Sequence, residues 1–296
     1  MEGVERRTVR TPDGRRLTVH LAGPDEGIPV LVHHGTPGSS RPYPELLAAA
    51  RARGLRWVGL SRPGYDGSDR LAGRDVATVA ADVATVLDAL GAPDALVAGW
   101  SGGGPHALAT AALLPQRTRA VAVLAGVAPW DAEGLDPTAG MGEDNVVEFD
   151  AAVAGEHALR PLLADAAEGL REVGGPDLAA AMASLLPEVD VRALEAGAGD
   201  WLAASFHAGL VDGVDGWVDD DLAFVRPWGV DLDDLAGVPV AIWQGDRDLM
   251  VPPAHGRWLV DHVPHAEAHL LPADGHLSLT VDRADEVVAA LVAAGR

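Results

Sequence analysis

Short apolar runs alternate with amphipathic stretches along most of the chain. Residues 4–11 and 16–21 alternate in polarity on either side of the turn sequence Pro12-Asp13-Gly14, which predicts an antiparallel hairpin at one sheet edge. Residues 29–33 form a continuous apolar run, the pattern of a strand buried on both faces. A helix is predicted over 44–52, a strand over 56–60, and then a turn-rich loop over 61–68. From Asp75 the apolar positions Val76, Val79, Ala80, Val83, Val86, Leu87 and Leu90 recur every three or four residues. They predict an amphipathic helix with Asp75 as N-cap, closed by Gly91 and Pro93. Residues 95–99 read as a strand, 105–114 as a helix and 119–125 as another strand. Such alternation builds right-handed β-α-β units and a mostly parallel sheet flanked by helices.

The rhythm breaks over 129–235. Helical stretches are predicted there at 151–167, 178–186, 191–196 and 200–210, with no strand. This reads as a helical cap inserted after the sixth strand, with 1–128 and 236–296 as the α/β core. The insertion is rich in Asp, Glu and Gly and carries Phe149, Trp201, Phe206, Trp217, Phe224 and Trp228, aromatic residues that suit an apolar lid or its own core. The alternation resumes with a strand at 238–244, a helix at 253–262, a strand at 266–271 and a last amphipathic helix at 283–294.

Composition narrows the chemistry. A net charge of -22, from 22 basic and 44 acidic residues, repels phosphate backbones and anionic lipid, so neither nucleic-acid nor membrane binding is expected. The chain has no cysteine, which removes disulfides and thiolate chemistry. It also has no lysine, which removes Schiff-base, Walker-A and serine–lysine mechanisms. The first residues lack an apolar signal core and no later run reaches the roughly 20 residues of a membrane span, so a cytoplasmic location is expected. Self-association into a homo-oligomer is left open.

The chemistry-bearing stretch is Gly99-Trp100-Ser101-Gly102-Gly103, a G-x-S-x-G sequence between a predicted strand and a predicted helix. Small residues there permit a sharp turn that exposes the serine, and the following helix N-terminus favours developing negative charge. In a parallel sheet the loops after the strands' carboxyl ends share one edge. Three further loops meet that description: His34-Gly35-Thr36-Pro37-Gly38, the stretch from Gly245 to Pro252, and Gly275-His276.

With these motifs the chain resembles the α/β-hydrolase superfamily over nearly its whole length. His34 to Gly38 looks like an H-G-x-P oxyanion loop, Arg62-Pro63-Gly64-Tyr65-Asp66-Gly67-Ser68 like R-P-G-x-G-x-S, Gly245 to Pro252 like G-x-x-D-x-x-V-P, and Gly275-His276 like the terminal G-H. The resemblance implies an α/β-hydrolase fold with Ser101 as nucleophile, His276 as general base and Asp248 as the acid orienting it. The N–H groups of Thr36 and Gly102 would hold the oxyanion, with His34 bracing that loop.

Asp246 is the competitor for the acid role and Asp131 a weaker substitute. His255, His262, His265 and His269 are expected on helix or strand surfaces, and His106, one turn past the elbow, is expected to pack or cap. His34, Trp100, Trp201 and Phe206 are candidates for touching substrate. The histidines lack a compact ligand spacing such as H-E-x-x-H, so neither a metal nor another cofactor is expected.

Serine at the elbow favours acyl transfer over the alkyl-enzyme chemistry of relatives with aspartate there. The expected substrate is a small carboxylic ester, lactone or thioester. Peptidase or amidase activity of the proline-iminopeptidase type ranks below it, because Thr36 replaces the second Gly of an H-G-G-P-G loop. A non-hydrolytic binding protein or lyase-like catalyst is the alternative from another class.

Overall fold

The computed structural model describes residues 3–296. The strands β1 (Val4–Arg10), β2 (Arg16–Ala22), β3 (Pro29–His33), β4 (Arg56–Leu60), β5 (Ala95–Trp100), β6 (Thr118–Leu124), β7 (Val240–Gly245) and β8 (Glu267–Leu271) form one sheet in the order β1-β2-β4-β3-β5-β6-β7-β8. The β1/β2 and β2/β4 pairs are antiparallel and the others parallel. This is the mostly parallel α/β-hydrolase sheet.

Alternation along the central strands sorts their side chains into two cores. Leu31, Val97, Val121, Val123 and Ile242 pack on one face, Val30, Val32, Leu96, Ala98, Ala122 and Leu124 on the other. Helices α1 (Pro44–Ala52), α2 (Val79–Ala89) and α3 (Gly103–Leu113) follow β3, β4 and β5. The first core is covered by Val83, Val86 and Leu87 of α2 and Leu108 of α3, the second by Leu46 and Leu47 of α1.

Between β6 and β7 lie α4 (Glu143–Ala154), α5 (Glu156–Glu172), α6 (Leu178–Ala181), α7 (Glu188–Ala193), α8 (Gly199–Gly209) and α9 (Asp215–Phe224). They bury a third apolar cluster, with Leu159, Leu163, Leu210, Trp217 and Leu222 at its centre. After β7 come α10 (Pro253–His262), α11 (Ser278–Asp282) and α12 (Ala284–Ala294). Val287, Val288 and Leu291 of α12 complete the second core.

The sequence pattern and the structure part at several places. Helix α2 starts at Val79, not beside Asp75; the Asp75 carboxylate accepts the Thr78 N–H at 2.9 Å and closes the turn before the helix. The stretch expected as one helix over 151–167 is divided at Gly155, whose φ of 106° ends α4 and lets α5 begin. The helix expected over 178–186 stops at Ala181, and α7 passes into a kink at Gly197, φ 128°. Helix α9 is not predicted at all, because the run Asp219-Asp220-Asp221 reads as loop. Its carboxylates are instead all buried against partners outside the helix and so do not compete for its backbone. Among the described residues no helix is long and apolar enough to cross a membrane.

Candidate active site

Strand β5 runs directly into α3, and Ser101 sits at the bend with φ 55°, a left-handed conformation costly for a residue with a Cβ. Its N–H donates to the Leu124 carbonyl at 2.9 Å and its carbonyl accepts the Gly104 N–H at 2.8 Å, which pins the bend from both sides. Only glycine fits around it: a Cβ on Gly99 would run into the Gly103 carbonyl, and one on Gly103 into the His33 carbonyl.

His276 lies in the loop after β8, and its Nδ1 is 2.8 Å from Asp248 Oδ2. Both residues are buried, at 1% and 2% exposure. Asp248 Oδ1 accepts the N–H groups of Met250 and Val251, each at 2.8 Å, so the carboxylate is fixed before it meets the imidazole. With Nδ1–H donated to Asp248, Nε2 is the nitrogen free to accept a proton, and it has no hydrogen-bond partner among the described residues. Asp246 points to the surface and pairs with Arg257 at 2.8 Å, and Asp131 is exposed.

Ser101 and His276 line one cavity of about 360 Å³, together with Thr36, Gly102 and Trp100 from the core and Phe149, Leu170, Met182, Phe206, Trp217 and Phe224 from the insertion. That volume suits a small molecule. Thr36 and Gly102 adjoin in it: a Cβ on Gly102 would run into the Thr36 hydroxyl and meet the Phe224 ring at 3.0 Å.

Two buried aspartates of the insertion hold the loops that carry these groups. Asp220 of α9 accepts hydrogen bonds from the Thr36 hydroxyl at 2.7 Å and the Tyr65 hydroxyl at 2.9 Å. It also pairs with Arg62 and Arg74, each at 2.6 Å, and lies 3.3 Å from His106 Nε2. Burial alone would raise its pKa, but the two guanidiniums and His106 hold it well below the usual carboxylate range. Arg62 in turn donates to the carbonyls of His34 and Gly35, at 2.5 and 3.1 Å, and to the Thr36 hydroxyl at 3.0 Å. On the other side of the site, Asp190 of α7 accepts the N–H groups of His276, Leu277 and Ser278 at 2.7, 3.1 and 2.9 Å, and the Ser278 hydroxyl at 2.8 Å.

A protein-family model described as the alpha/beta hydrolase fold matches residues 28–282. The chain belongs to that family. Among curated proteins, a non-heme chloroperoxidase of Streptomyces lividans is 33% identical over 153 residues, 51% of this chain and 55% of that protein. The chain therefore matches about half the length of that relative. Among solved structures, an alpha/beta hydrolase fold protein from Nakamurella multipartita is 26% identical, with a TM-score of 0.68 over 99% of this chain and 100% of the other. An esterase from a Rhodococcus species is 20% identical, TM-score 0.68 over 98% of each chain, which shows the shared fold.

Of the residues singled out in this α/β-hydrolase's sequence, Ser101, His276, Thr36, Gly102, Trp100 and Phe206 line the cavity and Asp248 stands behind His276. His34 and Trp201 stand outside that lining. His34 donates from Nδ1 to the Gly35 carbonyl at 2.7 Å and accepts the Arg62 N–H at Nε2, 3.2 Å, so it is a buried brace within its loop. Trp201 packs behind the wall, 4.3 Å from the Tyr43 ring and 6.1 Å from that of Trp100. His106 is buried, as expected, but His255 is not the surface residue expected: it is 2% exposed and bridges the Ala128 N–H and the Pro137 carbonyl. Asp190, Asp220, Glu148 and Asp221 went unmarked. No local signal marks them, because the groups that bury Asp190 and Asp220 lie some 90 to 160 residues away in the chain.

Proposed function

We propose that this α/β-hydrolase is a serine hydrolase that cleaves a small carboxylic ester, lactone or thioester through an acyl-enzyme on Ser101. The observation that carries the reading is the 2.8 Å Asp248–His276 bond, which leaves the second imidazole nitrogen unbonded in a residue that lines one cavity with a serine held at φ 55°. As Ser101 Oγ attacks the carbonyl, His276 Nε2 takes its proton, and Asp248 stabilises the imidazolium. The N–H groups of Thr36 and Gly102 take the oxyanion, helped by the N-terminus of α3. Collapse expels the alcohol, protonated by His276, and water then attacks the acyl-enzyme with the same base.

Structural relatives named as an esterase and as an enol-lactonase, the latter from Burkholderia xenovorans, support this substrate range. The test is labelling by a fluorophosphonate probe with esters of graded chain length as competitors. Wild type labels and Ser101→Ala does not. Equal labelling of the two, or ester turnover that survives His276→Ala, overturns the reading.

A further inference from the structure

Helices α4 and α9 set Glu148 and Asp221 in the wall of the same cavity, close enough for each carboxyl group to act on the other. Glu148 also accepts the Trp217 Nε1–H at 2.8 Å. Asp221 is 1% exposed, yet its Oδ2 receives no hydrogen bond from any described residue. Arg74 is close enough to act on Asp221, but its NH2 group goes to Asp220 at 2.6 Å and to the Gly216 carbonyl at 3.2 Å, and its Nε–H makes no hydrogen bond to any described residue, Asp221 included. Among the described residues lining the cavity there is no arginine, and Asp144 adds a third acid.

Burial first, and repulsion from Glu148 with it, pushes Asp221 well above the usual carboxylate range; burial, with Asp144 nearby, raises Glu148. A buried acid and a half-buried one, walled by Phe149, Trp217 and Phe224 and given no hydrogen bond by an arginine, relieve their mutual charge by holding a proton, a place that a cationic ligand can take instead. Their position on the same wall as the elbow keeps that ligand short. The Phe224 ring abuts Gly102, and Asp221 precedes it by three residues on α9, about 4.5 Å along the helix axis.

We propose that Glu148 and Asp221 form the recognition site for a protonated primary or secondary amine, so that the preferred substrate is an ester whose ammonium group lies a few bonds from the scissile carbonyl. This rests on the serine-hydrolase reading of the cavity. The ammonium donates to both carboxylates, the proton they share leaves to solvent, and the intervening hydrocarbon lies against Phe149, Trp217 and Phe224. The chain's charge of -22 draws such a cation toward the protein.

Two matched comparisons test this. In the first, benzyl 3-aminopropanoate is set against benzyl butanoate, which differ by an ammonium for a methyl. In the second, benzylammonium and benzyl alcohol compete with the fluorophosphonate for Ser101, a readout that needs no turnover. The amine member is expected to be favoured at least tenfold in kcat/KM or in protection, and Glu148→Gln, alone and with Asp221→Asn, should abolish that preference while labelling is retained. Glu148→Gln alone decides the matter if the double variant does not fold. Labelling of wild type with no amine preference, or a preference unchanged in Glu148→Gln, overturns the amine site and leaves the hydrolase intact. Absence of Ser101 labelling overturns the reading beneath it.

Discussion

Replacing Asp220 by asparagine keeps the shape of the side chain and removes its charge. The side chains of Arg62 and Arg74 are 0% and 2% exposed, so each loses the one buried carboxylate that pairs with it among the described residues, and an amide NH2 is turned toward groups that are themselves donors. Removing one partner of a buried ion pair costs about 3–5 kcal/mol, because the charge left behind cannot be resolvated. At about 2–4 °C per kcal/mol for a chain near this size, the melting temperature should fall by roughly 6–20 °C at pH 7.5. The loss should shrink when Arg74→Met is added, since one of the stranded cations is then gone. Activity gives a second measurement. Asp220 and Arg62 hold the Thr36 hydroxyl between them at 2.7 and 3.0 Å, and a Thr36 N–H out of place should lower kcat by up to about 100-fold with little change in KM. Calorimetry and ester hydrolysis on wild type, the single variant and the double variant check both effects. A loss of stability below about 1 kcal/mol would refute the argument, because it would mean that water or rearrangement compensates two guanidiniums that the structure shows enclosed.

Asp190→Ala should strand three N–H donors of the 276–278 turn, each worth about 1–3 kcal/mol when buried and unsatisfied, and should slow fluorophosphonate labelling as His276 loses its support; labelling at the wild-type rate would mean the turn stands unaided. Acid should destabilise the fold between about pH 6.5 and 4. Burial, against the pull of Asp220, lowers His106 from 6.5 to about 4, and burial also holds His33 and His34 well below the ordinary value. A histidine neutral in the fold and protonated when unfolded contributes stability that is full above 6.5 and lost as pH falls toward the folded value; for His106 this is on the order of 3 kcal/mol. Denaturant midpoints measured across that range check it, and a midpoint that rises on acidification contradicts the sign.

The core was legible in the sequence because β3, β5, β6 and β7 are buried on both faces and read as unbroken apolar runs, each followed by a loop marked with glycine. The bend at Ser101 was legible for the same reason: its glycines are demanded by backbone contacts only a few residues away or on the next strand. The helical character of the stretch between β6 and β7 was legible too, and its helix at 200–210 is α8, but most helix boundaries there were not. Its helices are cut by left-handed glycines at 155 and 197, and α9 is stabilised by arginines at 62, 70 and 74, some 150 residues upstream, so no local window contains the reason for the helix. Asp248 could be aligned by motif but not separated from Asp246 by chemistry until the Met250 and Val251 amides were seen on its carboxylate.

The three aspartates at 219–221 step around α9 by about 100° each, so one turn faces a surface arginine, the buried arginines and the cavity in succession. A chimera that exchanged all the helices between β6 and β7 for those of another α/β-hydrolase would leave Ser101, Asp248 and His276 untouched, yet would strip Arg62 and Arg74 of Asp220 and the 276–278 turn of Asp190. Specificity in this chain is therefore not a transplantable module. Directed evolution of its substrate range has to proceed by single changes on the cavity side of α4 and α9, with Asp190 and Asp220 held constant.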